Sequence, residues 1–215
     1  MIDFTLDYHA HILPNCDHGS NSLQVSLKQL EMAGAAGVHT IIATSHFYPD
    51  KESAGSFLSR REDSYQQLLP HLGEGLPEVK LGAEVLICSG LDRLDGLERL
   101  CRQGTNELLL EMPFYDWPED LWETLYSLQE REDIQVVLAH VDRYPPDYID
   151  QLAEDGFCLQ LNAEGVCSRR KRKKCIQWAK AGYVRYLGSD IHMLGNQYKQ
   201  WVKAKNVLTK KCGEE

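Results

Sequence analysis

The chain has 215 residues, with 32 acidic and 23 basic side chains and a formal net charge of −9. An acidic chain lacks the basic field that general nucleic-acid binders and proteins of anionic membrane surfaces carry, so we expect no nucleic-acid partner and no membrane insertion. Its 43% hydrophobic and 26% charged residues are ordinary for a globular protein, and its length predicts a single domain over residues 1–215.

Short apolar or β-branched runs alternate with segments of helical spacing along the whole chain. The predicted strands lie near residues 2–8, 38–44, 79–87, 107–112, 134–139, 157–162 and 184–189. The predicted helices span 22–36, 52–70, 91–102, 119–131, 147–155, 169–181 and 196–211. This alternation predicts an α/β fold with a parallel sheet and helices outside it, and seven such units fit a compact barrel-like sheet.

Histidine and carboxylate side chains lie near the carboxyl ends of six of these predicted strands. They are His9 and His11, His46, Glu84, Glu111, His140, and Asp190 with His192. Residues i and i+2 of a strand point to the same face, and the parallel strands of a β/α barrel end at one rim. Imidazole and carboxylate ligands without thiolate suit zinc, manganese or iron in a hydrolytic site. The pattern therefore predicts a metal centre at that rim.

Two loops carry further candidate residues. Asp17-His18-Gly19-Ser20 follows the first histidine pair, and either Asp17 or His18 could complete a metal shell, the alternative being a turn built on Asp and Gly. Arg143 lies three residues after His140 and could clamp an anion, the alternative being a surface salt bridge.

Other residues could support the site without joining it. Asp7 and Asn162 could hold the ligands in place, or could cap neighbouring loops. By contrast, His39 starts a predicted strand at the end far from the site, and His71 follows Pro70 in a loop. Both are interpreted as structural or surface residues.

Cysteine usage bears on the compartment of the protein. The seven cysteines are odd in number and form no C-x-x-C pair, so we interpret them as reduced thiols and expect a cytoplasmic location. The amino-terminal residues Met1-Ile2-Asp3-Phe4 have no basic leader, and we expect no signal peptide.

One strongly basic run interrupts the acidic chain at residues 169–174, with the sequence RRKRKK. Cations at the start of a helix are unfavourable because they face the positive end of the helix dipole. Two interpretations stay open for this run: a solvated helix face, or a surface that attracts an acidic partner or a phosphorylated substrate.

In their order and spacing, the motifs resemble those of the polymerase-and-histidinol-phosphatase (PHP) superfamily. The nearest branch is that of the bacterial metal-dependent tyrosine phosphatases of capsule and exopolysaccharide synthesis. The resemblance covers nearly the whole chain. Its motifs are DYHAHILP at 7–14, ATSHFYP at 43–49, GAE at 82–84, LEMPF at 110–114, AHVDRY at 139–144 and GSDIH at 188–192.

The resemblance implies a distorted TIM-like (β/α)7 barrel with two to three divalent or transition metal ions, manganese first and iron or zinc as alternatives. A metal-bridging hydroxide would attack the phosphorus. Arg143, Asp190 and His192 would be catalytic, and Arg143 and Lys199 would bind the substrate. The implied metal ligands are His9, His11, His18, His46, Glu84, Glu111, His140, Asp190 and His192.

Two positions depart from the family pattern. The family commonly has Asp-Asp-Gly where this chain has Asp17-His18-Gly19, so His18 would replace a carboxylate ligand by a nitrogen donor. The family also carries an arginine after the last D-x-H motif, and none occurs between Met193 and Trp201. Lys199 is the predicted substitute, although a lysine lacks the bidentate fork of an arginine.

The implied activity is hydrolysis of phosphotyrosine on a bacterial tyrosine kinase that controls capsular or exopolysaccharide synthesis. One alternative is a phosphatase of histidinol phosphate, of a nucleotide or of another small phosphoester. A non-enzyme alternative is a metal-binding regulatory module without turnover. The sequence leaves open the physiological metal, the oligomeric state and the group that protonates the leaving oxygen.

Overall fold

A computed structural model describes residues 2–213 of the chain. Its strands are β1 (Leu6–Ala10), β2 (Thr40–Ala43), β3 (His46–Phe47), β4 (Glu78–Leu81), β5 (Glu84–Leu86), β6 (Glu107–Glu111), β7 (Gln135–Leu138), β8 (Cys158–Asn162) and β9 (Val184–Gly188). Its helices are α1 (Leu23–Ala35), α2 (Ala54–Leu68), α3 (Glu119–Gln129), α4 (Pro146–Glu154), α5 (Ala163–Cys167), α6 (Arg172–Lys180) and α7 (Gln197–Cys212). Within these residues, no helix is both long enough and apolar enough to cross a membrane.

The strands form two parallel sheets, with the orders β1-β2-β4 and β3-β5-β6-β7-β8-β9. Only two residues separate β2 from β3, and two separate β4 from β5, so the second sheet continues the first towards the carboxyl ends. At the other edge, Ala10 forms a parallel bridge with Ile191, just after β9. The predicted α/β fold with parallel strands is confirmed. The strand pairing, however, is divided between two sheets rather than running around one closed barrel.

Several predicted elements differ from the structure, and glycine explains two of the differences. The predicted helix 91–102 is replaced by two short 3₁₀ helices, Leu91–Arg93 and Leu97–Leu100. Gly96 lies between them with φ of 79°, a left-handed conformation that interrupts a helix, and Gly90 precedes the first with φ of 77°. The predicted strand 79–87 is broken at Gly82, where a Cβ atom would lie 3.0 Å from Ile42 Cγ2.

Other predicted boundaries are shifted. The first strand begins at Leu6 rather than near residue 2, and the predicted helix 169–181 begins only at Arg172. The short elements β3 and α5 were not predicted. A two-residue strand and a five-residue helix are too short to show a hydrophobic period in the sequence.

The side chains of β6 alternate between the core shared with the helices and the inner face, which leads to the candidate site. Leu108 and Leu110 pack in the large core shared with the helices, whereas Leu109 belongs to a separate inner core with Tyr8, Ile42, Val137, Ala139 and Tyr186. Because side chains alternate along a strand, Glu107 and Glu111 share the inner face with Leu109. Glu107 lies at the amino end of β6 and pairs with Arg102 at 2.7 Å, whereas Glu111 lies at the carboxyl end of the same strand. The inner core lies between the two glutamates.

Candidate metal centre

Four histidines, which lie on or just after the three strands β1, β3 and β7, surround one buried carboxylate at the carboxyl rim of the sheets. Glu84 is 1% exposed, and its Oε2 atom lies 3.1 Å from Nε2 of His9, 3.1 Å from Nε2 of His11 and 3.2 Å from Nδ1 of His46. Its Oε1 atom lies 2.9 Å from Nε2 of His140. The structure therefore brings together five of the predicted ligands, which come from positions far apart in the sequence.

Two further carboxylates and a fifth histidine complete the cluster. Asp190 Oδ1 lies 3.5 Å from His9 Nε2 and 3.4 Å from His192 Nδ1. Glu111 Oε1 lies 3.5 Å from His140 Nε2. Three groups of three residues offer ligand atoms within 4.8 Å of one another: His9, His11 and Asp190; His11, His46 and His192; and His46, Glu84 and Glu111. Overlapping groups of this kind can hold more than one cation.

The chemistry of the buried atoms fits a bound cation. Glu84 Oε2 and His46 Nδ1 are buried 3.2 Å apart, and neither forms a contact with hydrogen-bond geometry among the described residues. Burying unpaired polar atoms is costly, and a cation between them would satisfy both. Burial also lowers the pKa of His46 to about 3 and that of His192 to about 4, which keeps both imidazoles neutral, the form that binds metal.

Asp17 supports the cluster from behind its histidines. Its Oδ2 atom lies 2.9 Å from Nδ1 of His11 and accepts the backbone N–H of His46 at 3.0 Å, while its Oδ1 accepts the N–H of Gly19 at 2.8 Å. Both oxygens are thus engaged by the protein itself. The exposed His18 ring instead stacks on His46 with 4.6 Å between centroids. Of the two alternatives, the geometry favours His18 as the residue that faces the cluster.

Gln160 is a site residue that the sequence analysis missed. It is fully buried on β8, its Oε1 lies 3.1 Å from His9 Nδ1, and it accepts the backbone N–H of His140 at 2.7 Å. Because Gln160 contacts Nδ1 of His9, the other ring nitrogen, Nε2, is directed at the cluster. The available signal was a glutamine between two leucines of a predicted strand, two residues before the candidate Asn162.

Asn162 and Asp7, the two candidate supporting residues, have separate contacts. Asn162 Nδ2 donates to Asp190 Oδ2 at 3.0 Å. Asp7 accepts the N–H of Ser189 and the hydroxyl of Tyr198, both at 2.9 Å, and so joins β1 to the segment after β9 and to α7.

Two of the candidate ligands have a strained backbone. His140 has φ of 32° and Asp190 has φ of 51°, in the left-handed region that side chains other than glycine rarely adopt. Such strain persists only where surrounding contacts enforce it, and it concentrates at functional sites. Here the backbone turns direct the side chains that follow β7 and β9 into the cluster.

The two predicted substrate-binding cations lie in different places. Arg143 Nη2 pairs with Asp190 Oδ2 at 2.5 Å, and the Arg143 side chain is 34% exposed, so part of its guanidinium faces solvent beside the cluster. Lys199 is exposed on α7, because Tyr198 and Trp201 take the buried face of that helix. The groove that contains Lys199 is lined by Met32, Ala35, Ala36, Tyr198 and Val202. None of these residues is a candidate ligand, and the role of Lys199 stays a prediction.

Comparison with known proteins gives consistent matches over nearly the full chain. A family model described as capsular polysaccharide synthesis, CpsB/CapC, matches residues 5–215. The tyrosine-protein phosphatase CpsB of Streptococcus pneumoniae is 24% identical over 230 residues, covering 97% of this chain and 91% of that protein.

Two solved structures share the fold. A chain from the crystal structures of YwqE from Bacillus subtilis and CpsB from Streptococcus pneumoniae, metal-dependent tyrosine phosphatases, aligns with a TM-score of 0.81 at 23% identity, covering 98% of this chain and 88% of that chain. A histidinol phosphate phosphatase from Lactococcus lactis, in complex with zinc, L-histidinol and phosphate, aligns with a TM-score of 0.61 at 17% identity. The alignment covers 96% of this chain and 93% of that chain. These likenesses concern the fold.

Proposed function

Because this chain belongs to the CpsB/CapC family of capsular polysaccharide synthesis, we propose that it is a metal-dependent phosphatase that hydrolyses phosphotyrosine on a tyrosine kinase of capsule or exopolysaccharide synthesis. The observation that carries the proposal is the buried ring of imidazoles around Glu84, with the guanidinium of Arg143 beside it. The relative named tyrosine-protein phosphatase supports the reaction class. All seven cysteines are free, which supports a reducing, cytoplasmic location.

The proposed fold at finer detail is a distorted seven-stranded β/α barrel. In this interpretation β2 with β3 forms one interrupted strand, and β4 with β5 forms another. The bridge between Ala10 and Ile191 supports closure between β1 and β9, as does the hydrogen bond from the N–H of Asp190 to the carbonyl of His9 at 2.7 Å.

The proposed cofactor is a set of two to three divalent ions, manganese first and iron or zinc as alternatives. Divalent metals supply the nucleophile in such sites by lowering the pKa of water towards neutrality. The residues that would hold them are His9, His11, His18, His46, Glu84, Glu111, His140, Asp190 and His192. Asp17 and Gln160 fix the rings of His11 and His9 so that each Nε2 faces the centre.

Arg143 is the proposed phosphate-binding residue. Its contact with Asp190 Oδ2 at 2.5 Å holds one part of the guanidinium in place, and its exposed part remains free to bind phosphoryl oxygens. A guanidinium matches phosphate in a bidentate manner, and the charge that builds on these oxygens in the transition state is stabilised most by a donor that is already oriented.

A phosphotyrosine substrate is supported by apolar side chains at the same rim. Phe114 is 65% exposed, and its ring lies 5.8 Å from the ring of His140 and 6.0 Å from that of Tyr144. The neighbouring Tyr115 is 70% exposed. Exposed aromatic side chains beside a polar site mark a contact surface, and a tyrosine ring stacks on them favourably.

Phe114→Ala is expected to lower kcat/KM for a phosphotyrosine peptide about tenfold, mainly through KM, because an aromatic contact of roughly 1 kcal/mol and its buried area are lost. A phosphoserine peptide should change less than about twofold, since it has no ring to stack. Steady-state kinetics on both peptides checks this. Leu69→Ala, which removes an exposed apolar side chain elsewhere, is the matched control. Equal losses on both peptides would contradict the assignment of Phe114.

The proposed function is tested with the full chain after chelation and after separate addition of manganese, iron or zinc. Phosphotyrosine peptide, phosphoserine peptide, histidinol phosphate and a nucleoside monophosphate are compared by phosphate release. We expect metal-dependent turnover that is highest on phosphotyrosine. Highest turnover on histidinol phosphate would support the small-molecule alternative. Bound metal without turnover of any substrate would support the regulatory module.

A further inference from the structure

The basic segment, Arg169 to Lys174, is divided by the structure into attached and free cations. Lys171 pairs with Asp142 at 3.2 Å, and Lys174 pairs with Asp150 at 2.5 Å. Arg172 donates to the carbonyls of Val166 and Cys167 at 3.0 and 2.9 Å. These three side chains attach the segment to the loop after β7, to α4 and to α5.

The other three cations of the basic segment face solvent. Arg169, Arg170 and Lys173 are exposed, and none of them forms an ion pair within 4.0 Å with an acidic residue in the part of the chain that the structure describes. Their position is unfavourable for the fold, because α6 begins here without an acidic residue in its first turn and without a side-chain cap. Cations at a helix start that no acidic neighbour compensates are typical of a functional surface, because they cost stability without a structural benefit.

The attached cations hold the segment beside the candidate metal centre. Asp142, the partner of Lys171, directly precedes Arg143, which pairs with Asp190. Asp142 Oδ1 also accepts the backbone N–H of Asn162 at 3.1 Å. Gly165 packs against the same carboxylate so closely that a Cβ atom there would lie 2.4 Å from Asp142 Cγ. The segment that carries the free cations is therefore attached at the rim where the substrate would enter.

We propose that Arg169, Arg170 and Lys173 form a docking surface for acidic residues that flank the phosphotyrosine in the substrate polypeptide. This inference rests on the proposed function and adds the charge class of the substrate. Residues 1–168 contain 29 acidic and 10 basic side chains, whereas residues 169–215 contain 3 and 13. An acidic polypeptide would thus be repelled by the first part of the chain and attracted to the carboxy-terminal part, where the basic segment contributes six of the 13 cations. Attraction to this segment favours productive orientation at the rim.

An anionic membrane surface would also attract these cations, but the charge distribution favours a polypeptide. A flat bilayer would meet the acidic remainder of the chain as well as the basic segment, whereas a flexible peptide can contact the three free cations alone. Lys171 pairs with Asp142, which is adjacent in sequence to Arg143, the proposed phosphate-binding residue. A peptide whose phosphate is bound at the centre could therefore also contact the basic segment.

The test uses a triple variant with Arg169→Gln, Arg170→Gln and Lys173→Gln. The control removes three exposed cations at the carboxyl-terminal ends of α6 and α7, through Lys180→Gln, Lys210→Gln and Lys211→Gln. The substrates are p-nitrophenyl phosphate and two phosphotyrosine peptides of equal length, one with acidic and one with neutral flanks. We expect the triple variant to lose about tenfold in kcat/KM on the acidic peptide alone, mainly through KM. The wild type should lose its preference for acidic flanks at about 0.5 M salt.

Binding of an acidic peptide that carries a non-hydrolysable phosphotyrosine analogue is measured in parallel by fluorescence anisotropy. Weaker binding of this peptide to the triple variant supports the docking surface even if no substrate is turned over, in which case only the proposed function fails. Unchanged kinetics and affinity with the acidic peptide would overturn the inference. So would equal losses on all three substrates. Loss of binding to phosphatidylglycerol vesicles without any change towards the peptide would overturn it in favour of a membrane surface.

Discussion

Glu84→Gln is expected to lower kcat/KM for a phosphotyrosine peptide about a hundredfold to a thousandfold and to reduce the number of metal ions bound per chain. Glu84 contacts His9 and His11 with one oxygen and His140 with the other, so its carboxylate lies at the centre of the cluster. Glutamine keeps the shape of the side chain but removes its negative charge and places an N–H donor where a cation would lie. Metal analysis and steady-state kinetics check both effects.

Glu107→Gln is the matched control for this variant. Glu107 is another buried glutamate of the interior, but it accepts the hydroxyls of Tyr8 and Tyr186 and pairs with Arg102, away from the candidate ligands. We expect its neutralisation to lower stability by about 1–3 kcal/mol and to leave the metal content unchanged. Full metal content and activity in the Glu84 variant would show that Glu84 is not a ligand.

Gly19→Ala is expected to lower the free energy of unfolding by about 1–3 kcal/mol and to weaken metal binding about tenfold or more. A Cβ atom at this position would lie 2.4 Å from Cβ of His11 and 2.6 Å from its carbonyl oxygen. Because both atoms belong to the rigid start of the histidine side chain and its backbone, the clash can be relieved only by moving His11 or the loop that contains Asp17.

Gly73→Ala provides the comparison for Gly19→Ala. No atom lies within 4 Å of a Cβ at Gly73, and its φ is not in the left-handed region, so we expect stability and metal affinity close to those of the wild type. Thermal unfolding and metal titration measure the two variants side by side. A loss of 1 kcal/mol corresponds to roughly 2–4 °C in Tm for a chain of this size. Equal Tm and equal metal affinity in both variants would contradict the role assigned to Gly19.

The sequence by itself determined the parallel α/β fold and most of the residues that meet at the rim. Two local rules are sufficient for this. Side chains two apart on a strand share a face, which pairs His9 with His11 and Asp190 with His192. Parallel strands end at one edge, which brings Glu84 and His140 to them. The first rule acts within one strand, and the second follows from the alternation of predicted strands and helices, so both can be applied to the sequence alone.

Interruptions of the predicted helices and strands could not be predicted in this way. The segment 91–102 has helical spacing, yet Gly90 and Gly96 adopt left-handed conformations and leave only 3₁₀ turns. The predicted strand 79–87 is interrupted between Leu81 and Glu84, where Gly82 approaches Ile42 closely. Such breaks depend on contacts with neighbouring strands, which local propensity does not describe.

Only the tertiary structure decided which polar groups support the site and where the charges lie. Gln160 and His9 are 151 residues apart, so no local pattern could connect them. The contact of Asp17 with the backbone of His46 and the outward position of Lys199 likewise depend on how the loop after β1 and helix α7 pack. The basic segment likewise gains its position through the pair of Lys171 with Asp142. The physical reason is the same in each case: a hydrogen bond or ion pair depends on the distance between two atoms, and for residues far apart in the chain the packing of the whole fold sets that distance.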